Sequence, residues 1–390
     1  MAWSSIIGQE RAVDVMRRGL EQQRLAHAYL FYGPEGSGKR AAAIELAKAL
    51  QCERDQPEAC GECLPCQKVA RLIHPDVQVL FPYPGDVDET EVAERLRLLA
   101  ENPYAVIDFI RRPFLNDASK VSNKQAIYTV ARMHQELRRS MSFKPVEGRH
   151  KVAILTDVEF MRVEAANAFL KLLEEPSPRT VFILITSRTD KLLPTILSRC
   201  QRLRFDPLSN EAIAAALESR AQMPPDAAKM LARMSNGSYS AALELAGNEE
   251  LLAHREQVVE FMRLAYTGHI DKLSDRIVSL GALGRERLKG WLILLMSWIR
   301  DLLLFRHQRE QALLVNSDQG ETIQKFCDGV PRANLEAMIG YVEEAMALIG
   351  RNTHVSLTLT VLALSLHNAM HGRPVERLYV PLASPEEALS

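Results

Sequence analysis

The sequence predicts an α/β protein, a parallel sheet built around a phosphate-binding loop, continued by all-helical segments. Gly33-Pro34-Glu35-Gly36-Ser37-Gly38-Lys39-Arg40 lies between an apolar run, Ala28–Tyr32, and a helical run that begins near Ala41. Strand, glycine-rich turn and helix in that order are what a phosphate cradle needs. Val152–Leu155 and Val181–Ile185 are unbroken apolar runs, as strands buried on both faces of a parallel sheet are. Beyond Asp206-Pro207-Leu208 only helical periodicity appears.

The loop comes first because the rest is arranged about it. Glycines let successive backbone N–H groups point inward, and the following helix N-terminus adds partial positive charge. Lys39 can then reach the outer phosphates as a point charge. The last motif position should be Ser or Thr, whose hydroxyl holds Mg²⁺; Arg40 stands there, and a guanidinium cannot accept a metal. The strand at Val152–Leu155 ends in Thr156-Asp157. Phosphate-loop ATPases place a metal-holding carboxylate there, followed by a Glu that activates water. Thr156 has no carboxylate and Asp157 is shorter than Glu. Both departures fall on the same chemistry, so the loop reads as suited to holding phosphate and poorly suited to hydrolysing it.

With 390 residues the chain is long enough for two or three domains. Its 47% hydrophobic and 25% charged residues are those of an ordinary globular protein, and a formal charge of −1 excludes a nucleic-acid wrapper that works by bulk charge. No apolar run approaches the roughly 18 residues of a membrane helix, and no signal pattern opens the chain. A cytoplasmic protein with reduced thiols is expected, so its six cysteines are read first as metal ligands or core residues.

In chain order, a helix is expected through Val13, Met16 and Leu20, then the first strand, the loop and a helix from Ala41 to Leu50. Cys52, Cys60, Cys63 and Cys66 follow, spaced C-x7-C-x2-C-x2-C. Four thiols at this density predict a zinc site of four thiolates with no open coordination position, hence structural. A redox C-x-x-C pair is the rival, but no thioredoxin-like strand and helix surround it. After a strand at Val77–Leu80, residues from about 82 to 122 turn irregular, with an acidic cluster read as a solvated helix start, a helix through Val92–Leu99, and aromatics at Tyr104, Phe109 and Phe114. This stretch reads as an insertion packed on the first domain, with no function attached. A helix from Lys124 to about Ser142 carries Arg132, Arg138 and Arg139, the most basic local patch, able to meet a phosphate backbone or simply solvent.

Asn167-Ala168-Phe169-Leu170-Lys171-Leu172-Leu173-Glu174-Glu175-Pro176 and Ser198-Arg199-Cys200 complete a specific pattern. Together with Ile7-Gly8-Gln9, the loop Gly33–Lys39 and the four-cysteine module, they make the first half of the chain resemble the clamp-loader subunits of bacterial DNA polymerase III, in the AAA+ class. The resemblance implies a nucleotide-binding-like domain over 1–206, carrying the zinc module (52–66) and the insertion (about 82–122). A helical lid over 207–247, a helical collar that joins subunits over 248–373, and a tail over 374–390 would follow. It implies that Gly33, Gly36, Ser37, Gly38, Lys39 and Arg40 line the nucleotide site, and that Arg199 acts as an arginine finger on ATP held by a neighbouring subunit. It implies gamma/tau and delta partners in a hetero-oligomeric ring, and through that ring a sliding clamp and primer-template DNA. Motor subunits keep an Arg after Gly-Ser on the lid; here Gly237-Ser238-Tyr239-Ser240 puts Ser240 in that place. Three altered nucleotide-handling positions with Arg199 retained favour the delta-prime branch, with ATP or ADP binding possible but no hydrolysis. An active gamma/tau-like motor and a zinc-dependent DNA-binding module stay open as alternatives.

Overall fold

A computed structural model describes residues 2–54, 57–115, 125–133, 137, 139–141, 143–247, 251–309, 314–316, 319–350, 353–373 and 378. The chain forms two compact units, Met1–Gly247 and Asn248–Ser390.

The first unit is built on five parallel strands, β1 (Ala28–Tyr32), β2 (Val77–Leu80), β3 (Lys151–Leu155), β4 (Thr180–Thr186) and β5 (Gln201–Arg204), in the order β2-β3-β4-β1-β5. The apolar runs became the central strands because both sheet faces are covered: every residue of β3 and β4 is buried. Alternation along the strands divides the core. Phe31, Ile154 and Ile183 face one side with Ala42, Ala43 and Leu46, whereas Leu30, Leu155 and Leu184 face the other with Phe169. Helix α1 (Glu10–Glu21) precedes β1 and α2 (Lys39–Gln51) follows it; small residues let α2 lie close to the sheet, with Ala41, Ala42, Ala43 and Ala47 all buried. With β1 between β4 and β5, the carboxyl ends of β1, β3 and β4 converge on one edge, where ligand sites of open α/β sheets form.

Two features depart from expectation. A helix from Lys124 does not form at its start: Ile127 and Tyr128 make isolated strand bridges to Tyr83 and Met161, and the described helical turn begins at Val130. Pairing with the insertion and with the segment after β3 wins over helix propensity there. The side chains of Arg132 and Arg139, and all of Arg138, lie outside the described residues, as do residues 116–122 of the insertion and all of 374–390 except Leu378. The second is β5, whose Gln201–Arg204 carries no apolar run yet pairs with β1 throughout.

Three helices, Asn210–Ala221, Pro225–Met234 and Tyr239–Ala246, end the first unit. Ser209 and Ser238 cap the first and third, their side chains accepting from the N–H of Ala212 and Ala241. The second unit is helical among its described residues, with helices at Leu251–Thr267, Ile270–Ala282, Arg285–Gln308, Gly320–Gly329, Leu335–Gly350 and Val355–Met370. Its core gathers Trp291, Leu295, Trp298, Met338, Val342 and Leu362. Inside it, the buried Asp301 carboxylate accepts from the N–H groups of Val315 and Asn316 at 2.9 and 2.7 Å, which satisfies a charge that would otherwise be costly to bury. No helix of the described residues is long and apolar enough to cross a membrane.

Candidate functional site

The loop after β1 ends in Gly38, the left-handed residue at the start of α2, so Lys39 opens the helix. Gly36 (φ +70°) carries no Cβ because one would stand 2.0 Å from Ser238 Oγ, and its carbonyl accepts from Tyr239 N at 3.1 Å. The loop is thereby sewn to the last helix of the unit. Gln9 ties the other side, its amide donating to Ser37 O at 3.0 Å and to Asp206 O at 2.7 Å. Lys39 is turned back onto the loop and donates to Gly33 O at 2.7 Å and Pro34 O. Burial pushes its ammonium down to about 8, against the charges of Asp157 and Glu35.

The pocket beside the loop has about 30 Å³ of free volume, room for a water molecule or two. Its walls are the loop, Thr156 and Asp157 beyond β3, the end of β4, Ser240, and three residues of the insertion, Pro103, Tyr104 and Arg111. Arg40 lines the pocket as well; its Nη1 is sealed from solvent and has no hydrogen-bond partner among the described residues. Burial lowers its pKa, with Asp157 opposing. Asp157 adopts a left-handed backbone (φ +52°), which Asp tolerates better than most residues. Burial, and then Asp108, raise its carboxyl above the usual range. Ser240 lines the pocket, with its hydroxyl spent on Tyr104 O at 2.6 Å.

Sequence reasoning missed three groups. Arg111 pairs with Glu35 Oε2 and with Asp108 Oδ2, both at 2.5 Å, and lies 4.0 Å from Asp157. Asp108 is itself buried, yet Arg111 outweighs that burial and keeps its carboxyl low. Glu159, two residues past Asp157, accepts from Thr186 Oγ1 at 2.8 Å and from Ser187 Oγ at 2.8 Å, so both of its oxygens are engaged at the end of β4. No periodicity or motif links the insertion to the loop; only irregular sequence rich in charge and aromatics hinted at more than a connector.

Cys52, at the end of α2, Cys60, in the stretch before the helix Leu64–Ala70, Cys63, at that helix's start, and Cys66, inside it, bring their sulfurs together within 4.8 Å of one another. All four are free thiols. Tetrahedral Zn²⁺ at about 2.3 Å from each sulfur needs sulfurs roughly 3.8 Å apart, and Cys60 and Cys66 stand at 4.0 Å. The donor set fits a closed zinc site. Hydrogen bonds from the N–H groups of Cys63 and Glu62 lower the Cys60 thiol to about 6, while burial raises Cys52 and Cys66.

Arg199 lies apart from the pocket, just after the one-turn helix Pro194–Leu197. Its guanidinium pairs with Glu174 Oε1 at 2.7 Å and donates to Thr195 O at 3.0 Å, with the side chain 36% exposed.

Sheet order, loop and pocket define the class: an α/β protein with a five-stranded parallel sheet and a glycine-rich loop of phosphate-loop pattern at the carboxyl end of β1. A family model described as "DNA polymerase III, delta subunit" matches residues 8–209. The chain is 32% identical over 320 residues to DNA polymerase III subunit delta' of Pseudomonas aeruginosa, spanning 80% of this chain and 82% of that protein. It is 30% identical over 258 residues to the Bacillus subtilis subunit delta', spanning 66% of this chain and 65% of that protein. It is also 25% identical over 393 residues to the Bacillus subtilis subunit tau, covering 62% of that protein. The chain belongs to the delta-prime family of DNA polymerase III clamp-loader subunits.

Proposed function

We propose that this chain is a fixed, non-hydrolysing member of a clamp-loader ring that helps ATP-driven loading of a sliding clamp onto primer-template DNA. The observation that carries it is a pairing of losses with a retention. Arg40, Thr156 and Ser240 replace the groups that would hold metal and sense nucleotide, while Arg199 stands half-exposed outside the chain's own pocket. In this reading Arg199 serves a neighbour's phosphate: a guanidinium stabilises charge that develops on a transferring phosphoryl group. Glu174 holds it meanwhile.

The partners are gamma/tau and delta subunits. Residues 248–373 act as the collar that joins them and 207–247 as the lid packed on the loop. Cys52, Cys60, Cys63 and Cys66 would hold one Zn²⁺, which cross-links the end of α2 to the helix Leu64–Ala70. With every position filled by thiolate it supplies stability and no chemistry. Reconstitution with tau/gamma, delta and clamp subunits of the same organism tests the reading. Leaving this chain out should abolish clamp loading on primed DNA, and adding it as the Lys39→Ala variant should restore loading in full. Loading that proceeds without the chain would refute it.

A further inference from the structure

We infer that the insertion is a built-in plug that fills the phosphate loop's own ligand site with an internal ion pair, Asp108–Arg111, and so keeps nucleotide out. The inference rests on reading Gly33–Arg40 as a phosphate loop and is independent of the role of Arg199.

Charge makes the case first. A phosphate loop works by turning uncompensated positive groups on an anion. Here Lys39, Arg40 and Arg111 are matched by Glu35, Asp108 and Asp157, each of which figures in the electrostatics of Arg40 or Arg111. An incoming triphosphate would have to break the Arg111–Glu35 and Arg111–Asp108 contacts and bring its own negative charge among three carboxylates. Shape agrees. The Tyr104 hydroxyl lies over Gly38, 3.1 Å from where a Cβ would be, and Pro103, Tyr104 and Arg111 wall the pocket opposite the loop.

The plug is held by dedicated groups. Arg95, fully buried, donates to the carbonyls of Ile107 at 2.7 Å, Arg112 at 2.8 Å and Pro113 at 2.8 Å, and its guanidinium lies 3.5 Å from the Phe109 ring centroid. Three backbone acceptors on one planar donor fix the loop's shape. The Tyr104 hydroxyl accepts from Ile7 N at 3.0 Å, and Asp108 Oδ1 accepts from Arg111 N at 2.8 Å. Ser240, in the place of the motor subunits' arginine, holds the Tyr104 carbonyl. The substitution at Ser240 therefore has a positive use: it anchors the plug.

The test is binding of a fluorescent N-methylanthraniloyl ADP with Mg²⁺ by the full-length chain. Wild type should show no saturable binding. The Asp108→Asn/Arg111→Ala double variant removes one charge of each sign and opens the space; its affinity should rise about tenfold or more, and adding Lys39→Ala should abolish the gain. Wild-type binding that depends on Lys39 would overturn the plug while upholding the loop. A folded double variant that still does not bind would overturn it too, and a gain indifferent to Lys39→Ala would overturn the phosphate-loop reading beneath it. Should the variant fail to fold, amide hydrogen exchange of residues 103–112 in wild type decides. Millimolar ATP should leave it unchanged, and altered protection would refute the plug.

Discussion

Arg199→Ala separates a residue that serves a neighbour from one that serves its own fold. Among the described residues the guanidinium pairs with Glu174 and donates to Thr195 O, on a side chain 36% exposed. A pair this open contributes about 0–1 kcal/mol, and 1 kcal/mol shifts the melting temperature of a unit of this size by about 2–4 °C. The variant should therefore melt within about 4 °C of wild type and assemble normally. A finger in trans is worth about 10³-fold or more at the site it serves, roughly 4 kcal/mol at 1.36 kcal/mol per tenfold. Because a ring holds several ATP sites, total turnover should fall by less than that factor while clamp loading slows. The assay is clamp- and DNA-stimulated ATP hydrolysis by the reconstituted assembly. Arg199→Lys should rescue poorly, since an ammonium lacks the planar fork. Cys200→Ser should matter little, because burial pushes that thiol up to about 11 and leaves it an unreactive packing group. Normal hydrolysis and loading by Arg199→Ala assemblies would refute the trans role.

Metal analysis of freshly purified chain should give one Zn²⁺ per molecule; Cys66→Ser should lose it and lower the melting temperature, and zinc-free wild type would refute the site. Acid should weaken the first unit through His74, whose Nδ1 accepts from Asp76 N at 3.1 Å and which sits among Glu147, Asp76 and Lys68. Burial lowers its pKa below the ordinary 6.5. The unfolded chain therefore binds the proton more readily, and the stability present above pH 6.5 is lost as pH falls through the lower folded value. Thermal melts from about pH 7.5 down to about pH 5 should show this loss, and His74→Gln should reduce it; an unchanged slope would remove the assignment.

Much of the first unit was legible because its signals are local. Strands β1, β3 and β4 are buried along nearly their whole length and so read as apolar runs, and the loop announces itself by glycines whose places are forced by Ser238 and Tyr104. The edge strand β5 was not legible: only Leu203 of its four residues is buried, and charged residues on either side mask it. Nor was the insertion's role. Tyr104, Asp108 and Arg111 reach the loop from far along the chain, and such long-range placement is set by Arg95 and its carbonyl partners rather than by any periodicity. The four-cysteine module lies between these cases, since spacing alone brought the thiols together but not the depth at which Cys52 and Cys66 are buried.

ATP turnover by the purified chain alone tests the central claim most directly. If Arg40 and Thr156 stand in the metal-holding places, as proposed, hydrolysis should not exceed the protein-free background, and Lys39→Ala should change nothing. Turnover that Lys39→Ala abolishes would show a working motor and contradict the account.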